Sequence, residues 1–213
     1  MNNNGYKIVI YDCDGVMFDS CQANLAFYQR ILSRFGKPLV DPQDSEAMRV
    51  LHTYASTDVI AYLFAGDNRH ADAKAFAKTI NYGELIHLMT VEEKFKETLE
   101  ALLPMVDLAV CTNRARSVDL ILDSFGLSSY FSYIVTAAHV ERPKPYPDPL
   151  LKVLQYYGIK PQQALFVGDS EVDRLAAEAA GVPFIAYKAD MPSVACIQRH
   201  DEIIPLLTAE SYS

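Results

Sequence analysis

The sequence contains no apolar run close to the roughly 20 consecutive residues that a membrane-spanning helix requires. It also lacks clusters of Lys and Arg, and its 27 acidic residues outnumber 19 basic ones, which gives a net charge of −8. Binding of nucleic acid requires clustered positive charge, so we expect neither a membrane nor nucleic acid as a partner. The first residues, MNNNGYK, lack the charged and apolar regions of a signal peptide, which favours a cytoplasmic location.

Cysteine is scarce, and its spacing is unlike that of a metal site. The four cysteines form no CxxC pair, which predicts free thiols rather than a disulfide framework or a bound zinc ion. The sequence has no internal repeat and no low-complexity tract. The remaining composition, 50% hydrophobic and 22% charged over 213 residues, is that of a globular protein, and we expect a monomer or a weak dimer.

The most informative stretch is an apolar run at residues 8–11 that ends abruptly in Asp12. A second carboxylate, Asp14, follows two residues later with Gly15 behind it. β-branched and aromatic residues bounded by a turn signal predict a strand that is buried on both faces. Such a strand has no use for two acids at its end unless a cation lies nearby. Because ligands of open parallel sheets bind beyond the carboxyl ends of the strands, we expect the functional site there.

Two parts of the chain differ in their hydrophobic pattern. The first part predicts only helices, between Ser20 and Gly36 and over residues 44–52, 56–64 and 71–88, with no strand between residues 20 and 100. The second part predicts helices over residues 92–103, 114–125, 149–157 and 171–180, and strands over residues 106–111, 133–136, 164–167 and, as the last strand, 183–187.

This arrangement predicts an α/β fold with an insert. Strands that alternate with helices form a Rossmann-like, three-layer α/β/α core with a parallel sheet, to which we assign residues 1–19 and 89–213. The helical part, residues 20–88, is expected to form an inserted all-helical cap domain that lies over the core.

Polar side chains follow the other predicted strands as well, namely Thr112, Asn113, Asp169 and Asp173, and Lys144 lies between two prolines. In a parallel sheet these residues face the same crevice as Asp12 and Asp14. Several carboxylates gathered there repel one another unless a divalent cation compensates. Oxygen ligands without clustered His or Cys favour Mg²⁺ over Zn²⁺, and Mg²⁺ usually takes one or two carboxylates together with a substrate phosphate.

Four motifs in this order resemble those of the haloacid dehalogenase superfamily: DxDGVxxDS, an apolar strand ending in Thr112-Asn113, Lys144-Pro145, and GDSEVD. The resemblance covers roughly residues 6–187 and is to the phosphatase branch with a helical cap after the first motif. The DGVxxDS form is similar to the β-phosphoglucomutase and phosphoglycolate phosphatase subgroup. The true dehalogenases of the superfamily lack the second acid, Asp14, so dehalogenation is not expected.

The resemblance implies catalytic roles. Asp12 is the expected nucleophile, which takes the phosphoryl group as an aspartyl phosphate, and Asp14 is the expected general acid and base. Thr112, Asn113 and Lys144 are expected to bind the phosphoryl oxygens, with Lys144 offsetting charge in the transition state. Thr112 is also placed to cap the helix predicted from residue 114.

The resemblance also implies the metal ligands. Mg²⁺ is expected to be held by the Asp12 carboxylate, the backbone carbonyl of Asp14 and Asp169. Asp173 is expected to orient Lys144 or a water bound to the metal, although it could instead stabilise the start of a helix. Gly168 before Asp169 is expected to let the backbone turn tightly.

Substrate choice is expected to come from the cap. The candidate contacts are Arg49, His52, Tyr54, Arg69, His70 and Lys74, with Arg114 or Arg116 at the mouth of the site. The helix break at residues 52–55 lies where related caps place a specificity loop. The alternative is that these are ordinary surface side chains.

We therefore expect a Mg²⁺-dependent phosphatase that hydrolyses small organic phosphate monoesters through a phospho-aspartate intermediate. A capped site excludes large polymers and suits a small phosphorylated metabolite. One alternative is a phosphomutase of the β-phosphoglucomutase type, which returns the phosphoryl group to a second hydroxyl. The other is a catalytically idle binding protein on the same fold.

Overall fold

The core of the molecule is a sheet of parallel strands. A computed structural model of the protein describes residues 5–208. Its strands are β1 (Ile8–Tyr11), β2 (Phe18–Asp19), β3 (Thr90–Val91), β4 (Asp107–Thr112), β5 (Tyr133–Thr136), β6 (Ala164–Gly168), β7 (Phe184–Tyr187) and β8 (Ala195–Ile197). Six of them form one parallel sheet in the order β5-β4-β1-β6-β7-β8.

Helices cover both faces of this sheet and fill the insert. They are α1 (Cys21–Arg34), α2 (Ser45–Thr53), α3 (Ser56–Leu63), α4 (His70–Ala77), α5 (Phe95–Leu102), α6 (Val118–Ser124), α7 (Asp148–Tyr157), α8 (Glu171–Ala180) and α9 (Ile203–Thr208). The predicted three-layer α/β/α fold with a parallel sheet and a helical insert is confirmed.

Strand β1 occupies the middle of the sheet, and its residues are fully buried. Successive side chains of a strand point to opposite faces. Val9 and Tyr11 therefore belong to the core under α5, α6 and α9, whereas Ile8 and Ile10 belong to the core under α7 and α8. Burial on both faces explains why the strand has no polar residue until Asp12.

The register of β1 places three strand ends at one edge of the sheet. Tyr11 lies opposite Val110 on β4 and opposite Val167 on β6. Asp12 is therefore level with the end of both neighbouring strands. The residues that follow these strands meet at one edge, as the parallel arrangement requires.

The helices α1 to α4 have a hydrophobic core of their own. Its largest fully buried members are Phe64, Ile31, Ile60 and Leu32, none of which is more than 1% exposed. A short 3₁₀ helix, Tyr82–Leu88, packs on α1 and α6 and returns the chain to the sheet. The insert therefore has its own core, and it also packs on the core of the sheet through residues such as Ala23 and Leu85.

The helix predicted over residues 71–88 is wrong, because the segment is divided. Helix α4 ends at Ala77, and the 3₁₀ helix begins only at Tyr82. Asn81 caps the start of the second element, because its side-chain oxygen accepts the Gly83 N–H at 3.0 Å. Gly83 also has low helix propensity.

The expectation of no strand between residues 20 and 100 is also wrong. Strands β2 and β3 form an antiparallel pair in which Phe18 lies opposite Val91 and Asp19 opposite Thr90. The pair joins the two points where the chain leaves and re-enters the core. Two residues per strand are too few to give a periodic pattern.

Two further boundaries differ from the predictions. The helix predicted from residue 114 begins at Val118, because the Arg114 carbonyl accepts the Ala137 N–H at 3.0 Å and is not available for a helical bond. Thr112 accordingly does not cap that helix; its hydroxyl accepts the Arg114 N–H at 3.1 Å. A short strand, β8, adds to the edge of β7, which the sequence predicts to be the last strand.

Two of our expectations concern features that the sequence lacks, namely a membrane-spanning helix and a set of paired cysteines. None of the helices between residues 5 and 208 is both long and apolar enough to cross a membrane. The four cysteines are free thiols, as predicted; two are buried and two are exposed.

Candidate active site

Three carboxylates meet at the carboxyl edge of the sheet. Asp12 follows β1, Asp169 follows β6, and Asp173 lies in the first turn of α8. One oxygen of each lies within 4.8 Å of the others. Asp12 and Asp173 are buried and Asp169 is half-buried, and these oxygens are the kind of ligand that Mg²⁺ prefers.

Lys144 bridges two of these acids. Its Nζ lies 2.7 Å from Asp12 Oδ1 and 2.6 Å from Asp173 Oδ1, and it donates to the Cys111 carbonyl at 3.0 Å. The lysine is 2% exposed, so its charge is compensated by these acceptors rather than by water. The predicted pairing of Asp173 with Lys144 is thus present in the geometry. Asp173 also accepts hydrogen bonds from the Ser170 N–H and hydroxyl.

The electrostatics of this cluster favour an additional cation. Burial raises the pKa of Asp12 to about 7, although the Lys144 ammonium opposes the change. Desolvation and the charges of Asp173 and Asp12 raise the pKa of Asp169 well above its usual range. Burial alone would lower the pKa of Lys144, but the two carboxylates beside it raise it. One ammonium group therefore faces three carboxylates, which a divalent ion would balance.

Two glycines allow the acids to approach the backbone. Gly15 has a φ of +74°, and a Cβ atom there would lie 2.0 Å from Asp169 Oδ2. A Cβ atom on Gly168 would lie 2.5 Å from the Asp173 Cβ. The expected tight turn at Gly168 is not the reason for this glycine, since its φ is not in the left-handed region; close packing of Asp173 is.

The Asp14 carboxylate is not part of the three-acid cluster. Its Oδ1 accepts hydrogen bonds from the Ser20 hydroxyl, from Asn24 Nδ2 at 3.2 Å and from Arg114 Nη2 at 2.5 Å. Burial would raise the pKa of Asp14, but the Arg114 guanidinium and these hydrogen bonds outweigh it and hold the pKa below its usual range. Asp14 is therefore an ionised carboxylate that is held by three side chains, two at the start of α1 and one in the loop after β4.

The groups around Asp14 form a continuous network. Asn24 Oδ1 accepts from Arg114 Nη2 and from the Tyr82 hydroxyl, both at 2.9 Å, so the orientation of its amide is fixed. Asn24 Nδ2 is then a donor, and it lies 3.3 Å from His52 Nδ1. His52 Nδ1 must accept, which places the ring proton on Nε2. Desolvation lowers the pKa of His52, consistent with a neutral ring.

Two cavities lie under the insert, and Asp14 and His52 belong to the walls of both. The acid-lined cavity has a volume of about 380 Å³ and contains five carboxylates: Asp12, Asp14, Asp19, Glu92 and Asp169. The cation-lined cavity has a volume of about 430 Å³ and contains four cationic side chains: Lys74, Lys78, Arg114 and Arg116. Its remaining wall includes Phe27, Tyr28, Leu51, Ile60 and Tyr82.

The structure brings some of the predicted cap residues to these cavities and not others. His52, Tyr54 and Lys74 line the cation-lined cavity. Arg49 does not; it is exposed and its guanidinium bonds Glu46 at 2.7 Å and 2.9 Å. The other predicted contacts, Arg69 and His70, also lie outside both walls, and Arg69 pairs with Asp67 at 2.6 Å.

The predicted phosphate-binding residues lie beside the acids. Thr112 is buried, with its hydroxyl bonded to the Arg114 N–H. Asn113 Nδ2 donates to the Thr53 carbonyl at 3.1 Å and to the Lys144 carbonyl at 3.0 Å. Asn113 thereby joins the insert to the two loops of the core that carry the site.

Sequence reasoning missed the partners of Asp14. Ser20 and Asn24 contact it from the start of α1, where residues four apart share a face, and this spacing was the one available signal. Arg114 was predicted only at the mouth of the site, but its side chain is 8% exposed and bonds the Asp14 carboxylate directly.

The buried acids and the lysine lie at the carboxyl edge of a parallel sheet and are covered by a helical insert. This arrangement is typical of α/β enzymes that transfer phosphoryl groups. A family model described as haloacid dehalogenase-like hydrolase matches residues 9–187. The chain belongs to this family.

Comparison with individual relatives indicates which kind of hydrolase this is. A phosphoglycolate phosphatase of Pseudomonas putida is 34% identical over 83% of this chain and 67% of its own length. Phosphoglycolate phosphatase 1 of Pseudomonas aeruginosa is 32% identical over the same shares. A crystal structure of a HAD-superfamily hydrolase, subfamily IA, variant 1, from Geobacter sulfurreducens is 54% identical with a TM-score of 0.84, covering 95% of this chain and 100% of that one. The predicted family and its phosphatase class are confirmed.

Proposed function

We propose that the protein is a Mg²⁺-dependent phosphatase that hydrolyses small organic phosphate monoesters through a phospho-aspartate on Asp12. The observation that carries the proposal is the convergence of Asp12, Asp169 and Asp173 on one point, with Lys144 bonded to two of them. A single lysine beside three acids suits a site that receives both a metal ion and a phosphate.

The residues present fit a magnesium ion. The oxygens of Asp12 and Asp169 are hard ligands, and the cluster has excess negative charge because three carboxylates share the single ammonium of Lys144. These two residues would hold the ion, with the Asp14 carbonyl as the expected third ligand and Asp173 positioning Lys144. When bound, Mg²⁺ supplies positive charge that favours ionised Asp12 and stabilises the phosphoryl oxygens.

The first half of the reaction transfers the phosphoryl group to the protein. A carboxylate oxygen of Asp12 attacks phosphorus, the bond between phosphorus and the ester oxygen breaks, and the leaving oxygen takes a proton from Asp14. Lys144, 2.7 Å from Asp12, offsets charge on the nucleophile and the transferred group. Thr112 and Asn113 are proposed to position the phosphoryl oxygens.

The second half returns Asp12 to its free state. A water attacks the phosphorus of the aspartyl phosphate, Asp14 removes a proton from it, and inorganic phosphate leaves. The structure holds Asp14 ionised through Arg114, Ser20 and Asn24, which is the form that a general base requires. For the first half, Asp14 must bind a proton before it can donate one.

We propose that residues 20–88 act as a cap domain and that residues 1–19 and 89–213 form the catalytic core. The separate hydrophobic core of α1 to α4 supports this division. Cavities of about 380 and 430 Å³ beneath it suit a small phosphorylated metabolite rather than a polymer. The two phosphoglycolate phosphatase relatives make phosphoglycolate one candidate substrate.

A panel of phosphorylated metabolites, assayed for phosphate release with Mg²⁺ and with EDTA, tests the proposal. We expect turnover with Mg²⁺, loss of turnover with EDTA, and a loss of at least about 10³-fold in kcat for Asp12→Asn, as when other enzymes lose a nucleophile. Retained activity in Asp12→Asn would show that the nucleophile is wrong. No turnover of any substrate would favour the idle binding protein.

One observation favours the phosphomutase as a second candidate. The cation-lined cavity adjoins the reaction centre and could receive a second phosphate group. A mutase converts a sugar phosphate into its isomer without net release of phosphate. Product analysis by ³¹P NMR separates it from the phosphatase, because the phosphatase gives inorganic phosphate as the main product.

A further inference from the structure

The cation-lined cavity has a large apolar surface in addition to its charges. Aromatic and aliphatic side chains from five elements contribute to its wall: Phe27, Tyr28, Leu51, Ile60, Tyr82 and Leu120. The ring centroid of Phe27 lies 5.1 Å from that of Tyr28 and 5.8 Å from that of Tyr82, so these three rings form a continuous surface. Such a surface favours contact with an apolar group over contact with water.

The apolar and the cationic side chains lie at different depths. Leu51 and Ile60 are buried, whereas Lys78 and Arg116 are exposed and Lys74 is half-buried. Buried residues that line a cavity lie at its closed end, and exposed ones lie at its mouth. The cavity therefore has an apolar interior and a cationic rim.

Leu120 extends the apolar surface to the mouth of the cavity. It is 43% exposed, although Ile121 and Leu122 beside it on α6 are fully buried. A single exposed leucine is ordinary, but this one continues the wall of an apolar cavity. A ligand that covers the whole wall would remove apolar area from water, which favours binding in proportion to the area covered.

The cavity lies on the leaving-group side of the proposed reaction. Asp14 lines both cavities, and in the proposed mechanism it gives its proton to the ester oxygen. The organic part is attached to that oxygen, so it begins beside Asp14 while the phosphoryl group lies with Asp12. The acid-lined cavity has no Leu, Ile, Phe or Tyr in its wall within residues 5–208. An apolar organic part would therefore extend into the cation-lined cavity.

The cavity is also much larger than a two-carbon acid requires. Its volume is about 430 Å³. At roughly 30 Å³ for a water-sized group, it has room for about ten carbon-sized groups or more. A short organic part would leave most of the apolar wall in contact with water, so it would gain little from burial.

From these features we propose that the substrates are phosphate monoesters with an extended apolar organic part, a chain or ring of about six to ten carbon atoms that lies on Phe27, Tyr82 and Leu120. The inference rests on the proposed phosphatase function and narrows its substrate class by the size and chemistry of the organic part. The phosphoryl group would lie with Asp12 and the ester oxygen at Asp14. A polar group at the far end of the organic part would reach the cationic rim.

The test uses a series of unbranched esters, namely ethyl, butyl, hexyl and octyl phosphate. Their leaving groups have the same chemistry, so kcat/KM reports how the organic part is bound. Burial of each added CH₂ should raise kcat/KM by roughly 2- to 4-fold, which gives roughly 20- to 200-fold between ethyl and hexyl phosphate. If kcat/KM is constant or falls with chain length while ethyl phosphate is hydrolysed, the inference is overturned and the phosphatase proposal stands.

A variant that fills the cavity tests whether the dependence on chain length arises there. Ala77 lies half-buried in the wall at the end of α4, and Ala77→Phe adds a ring to that space. It should lower kcat/KM for hexyl phosphate by at least about 10-fold and for ethyl phosphate by less than about 3-fold. The matched control is Ala75→Phe, on the same helix but exposed and outside both cavities, which should keep the wild-type dependence. Equal effects of the two variants would contradict the inference.

A second variant decides the matter if Ala77→Phe does not fold, as judged by circular dichroism. Leu120→Ser removes apolar surface at the mouth and should lower kcat/KM for hexyl phosphate by about 3-fold more than for ethyl phosphate. Leu103→Ser is its control, because Leu103 is similarly exposed, at 47%, and lies outside both cavities. No difference between these two variants would count against the proposed position of the apolar part.

A binding measurement covers the outcome in which no ester is hydrolysed, which by itself contradicts the phosphatase proposal. Calorimetry with the Asp12→Asn protein and Mg²⁺ should show tighter binding of hexyl phosphate than of ethyl phosphate, by roughly 20-fold or more. The heat-capacity change of binding should become more negative with chain length, as it does when apolar surface is buried. Equal affinities for the two esters would refute the inference, whatever the turnover.

Discussion

The two cavities under the insert differ in charge although they share Asp14 and His52. The acid-lined cavity has five carboxylates and no Lys or Arg in its wall, as far as residues 5–208 show, whereas the cation-lined cavity has four cations and one acid. One side thus suits a metal ion and the phosphate it attracts, and the other suits an anionic organic group. A substrate with two negatively charged ends would place each end beside the appropriate cavity.

The cavities also differ in how they are built. Asp12, Asp169 and Lys144 are fixed by the sheet and by loops that follow its strands, and β1 is fully buried. The cation-lined wall instead consists largely of residues from α1 to α4 and of the segment after β4. The comparison indicates that the acids and Lys144 are held by the sheet, whereas the cation-lined wall belongs largely to the helical insert, which has a hydrophobic core of its own.

The largest effect is expected at the cluster of Asp12, Asp169 and Asp173, from the variant Lys144→Met. Methionine preserves the length of the side chain but leaves Asp12 and Asp173 without their shared counter-charge. Removing one partner of a buried ion pair typically lowers the free energy of unfolding by about 3–5 kcal/mol. Urea unfolding in the presence of EDTA measures it.

The matched control for this variant is Lys152→Met. Lys152 is half-buried, and its Nζ forms an exposed hydrogen bond with the His139 carbonyl but no ion pair within residues 5–208, so its replacement should change stability by less than about 0.5 kcal/mol. Mg²⁺ should stabilise Lys144→Met more than the wild type, because the ion replaces the missing charge. A loss below about 1 kcal/mol would mean that the acids do not depend on Lys144.

A smaller effect should appear in the pH dependence of stability. His200 lies under the turn that follows Asp14, where its Nε2 is 2.8 Å from the Val16 carbonyl and its ring stacks on Tyr187 at 4.3 Å. Burial lowers its pKa to about 4 from a usual value near 6.5. The unfolded state therefore binds the proton more readily, so stability is complete above about pH 6.5 and is lost as the pH falls toward 4.

This titration gives a measurable slope. From pH 7 to pH 5 we expect the wild type to lose about 2 kcal/mol through His200, and His200→Gln, whose side chain does not titrate, to lack this component. The two proteins should be unfolded in urea at each pH, because other groups also titrate and only the difference isolates His200. Parallel pH profiles would show that His200 is not buried as a neutral ring.

The position of the acid cluster could be predicted because the sequence signals for it are local. A run of four buried residues gives β1, the first polar residue after it marks the strand end, and the parallel sheet brings Asp169 beside Asp12 without further information. The same reasoning located Lys144, which the structure bonds to both Asp12 and Asp173. Asp14 was also predicted to belong to the site, but its hydrogen-bond partners were not predicted.

The cation-lined cavity could not be predicted because its contacts join distant parts of the chain. Arg114 meets Asp14 across 100 residues, through a loop whose backbone is turned by the bond between the Arg114 carbonyl and Ala137. Arg49 carries the same charge on a helix near the expected specificity loop, yet it pairs with Glu46 instead. Nothing in the spacing of the basic residues distinguishes these outcomes, since each depends on how helices pack.

The smallest effect is expected at the rim of the cation-lined cavity. Lys74 and Lys78 are four residues apart on one side of α4 and its end, and both line the cavity. Lys78 is exposed and Lys74 is half-buried. Ion pairs at such positions contribute about 0.2–1 kcal/mol each and are screened by salt. The double variant Lys74→Gln/Lys78→Gln should therefore raise KM for 3-phosphoglycerate by roughly 2- to 5-fold at low ionic strength, with kcat unchanged.

Salt and a matched double variant show whether this effect belongs to the cavity. At an ionic strength of about 0.5 M the Debye length falls to roughly 4–5 Å, so the difference from wild type should largely disappear. Lys96→Gln/Lys152→Gln removes the same charge from surfaces outside both cavities and should leave KM unchanged. If both double variants raise KM equally, the effect reflects net charge alone, and the contrast between the two cavities does not extend to their rims.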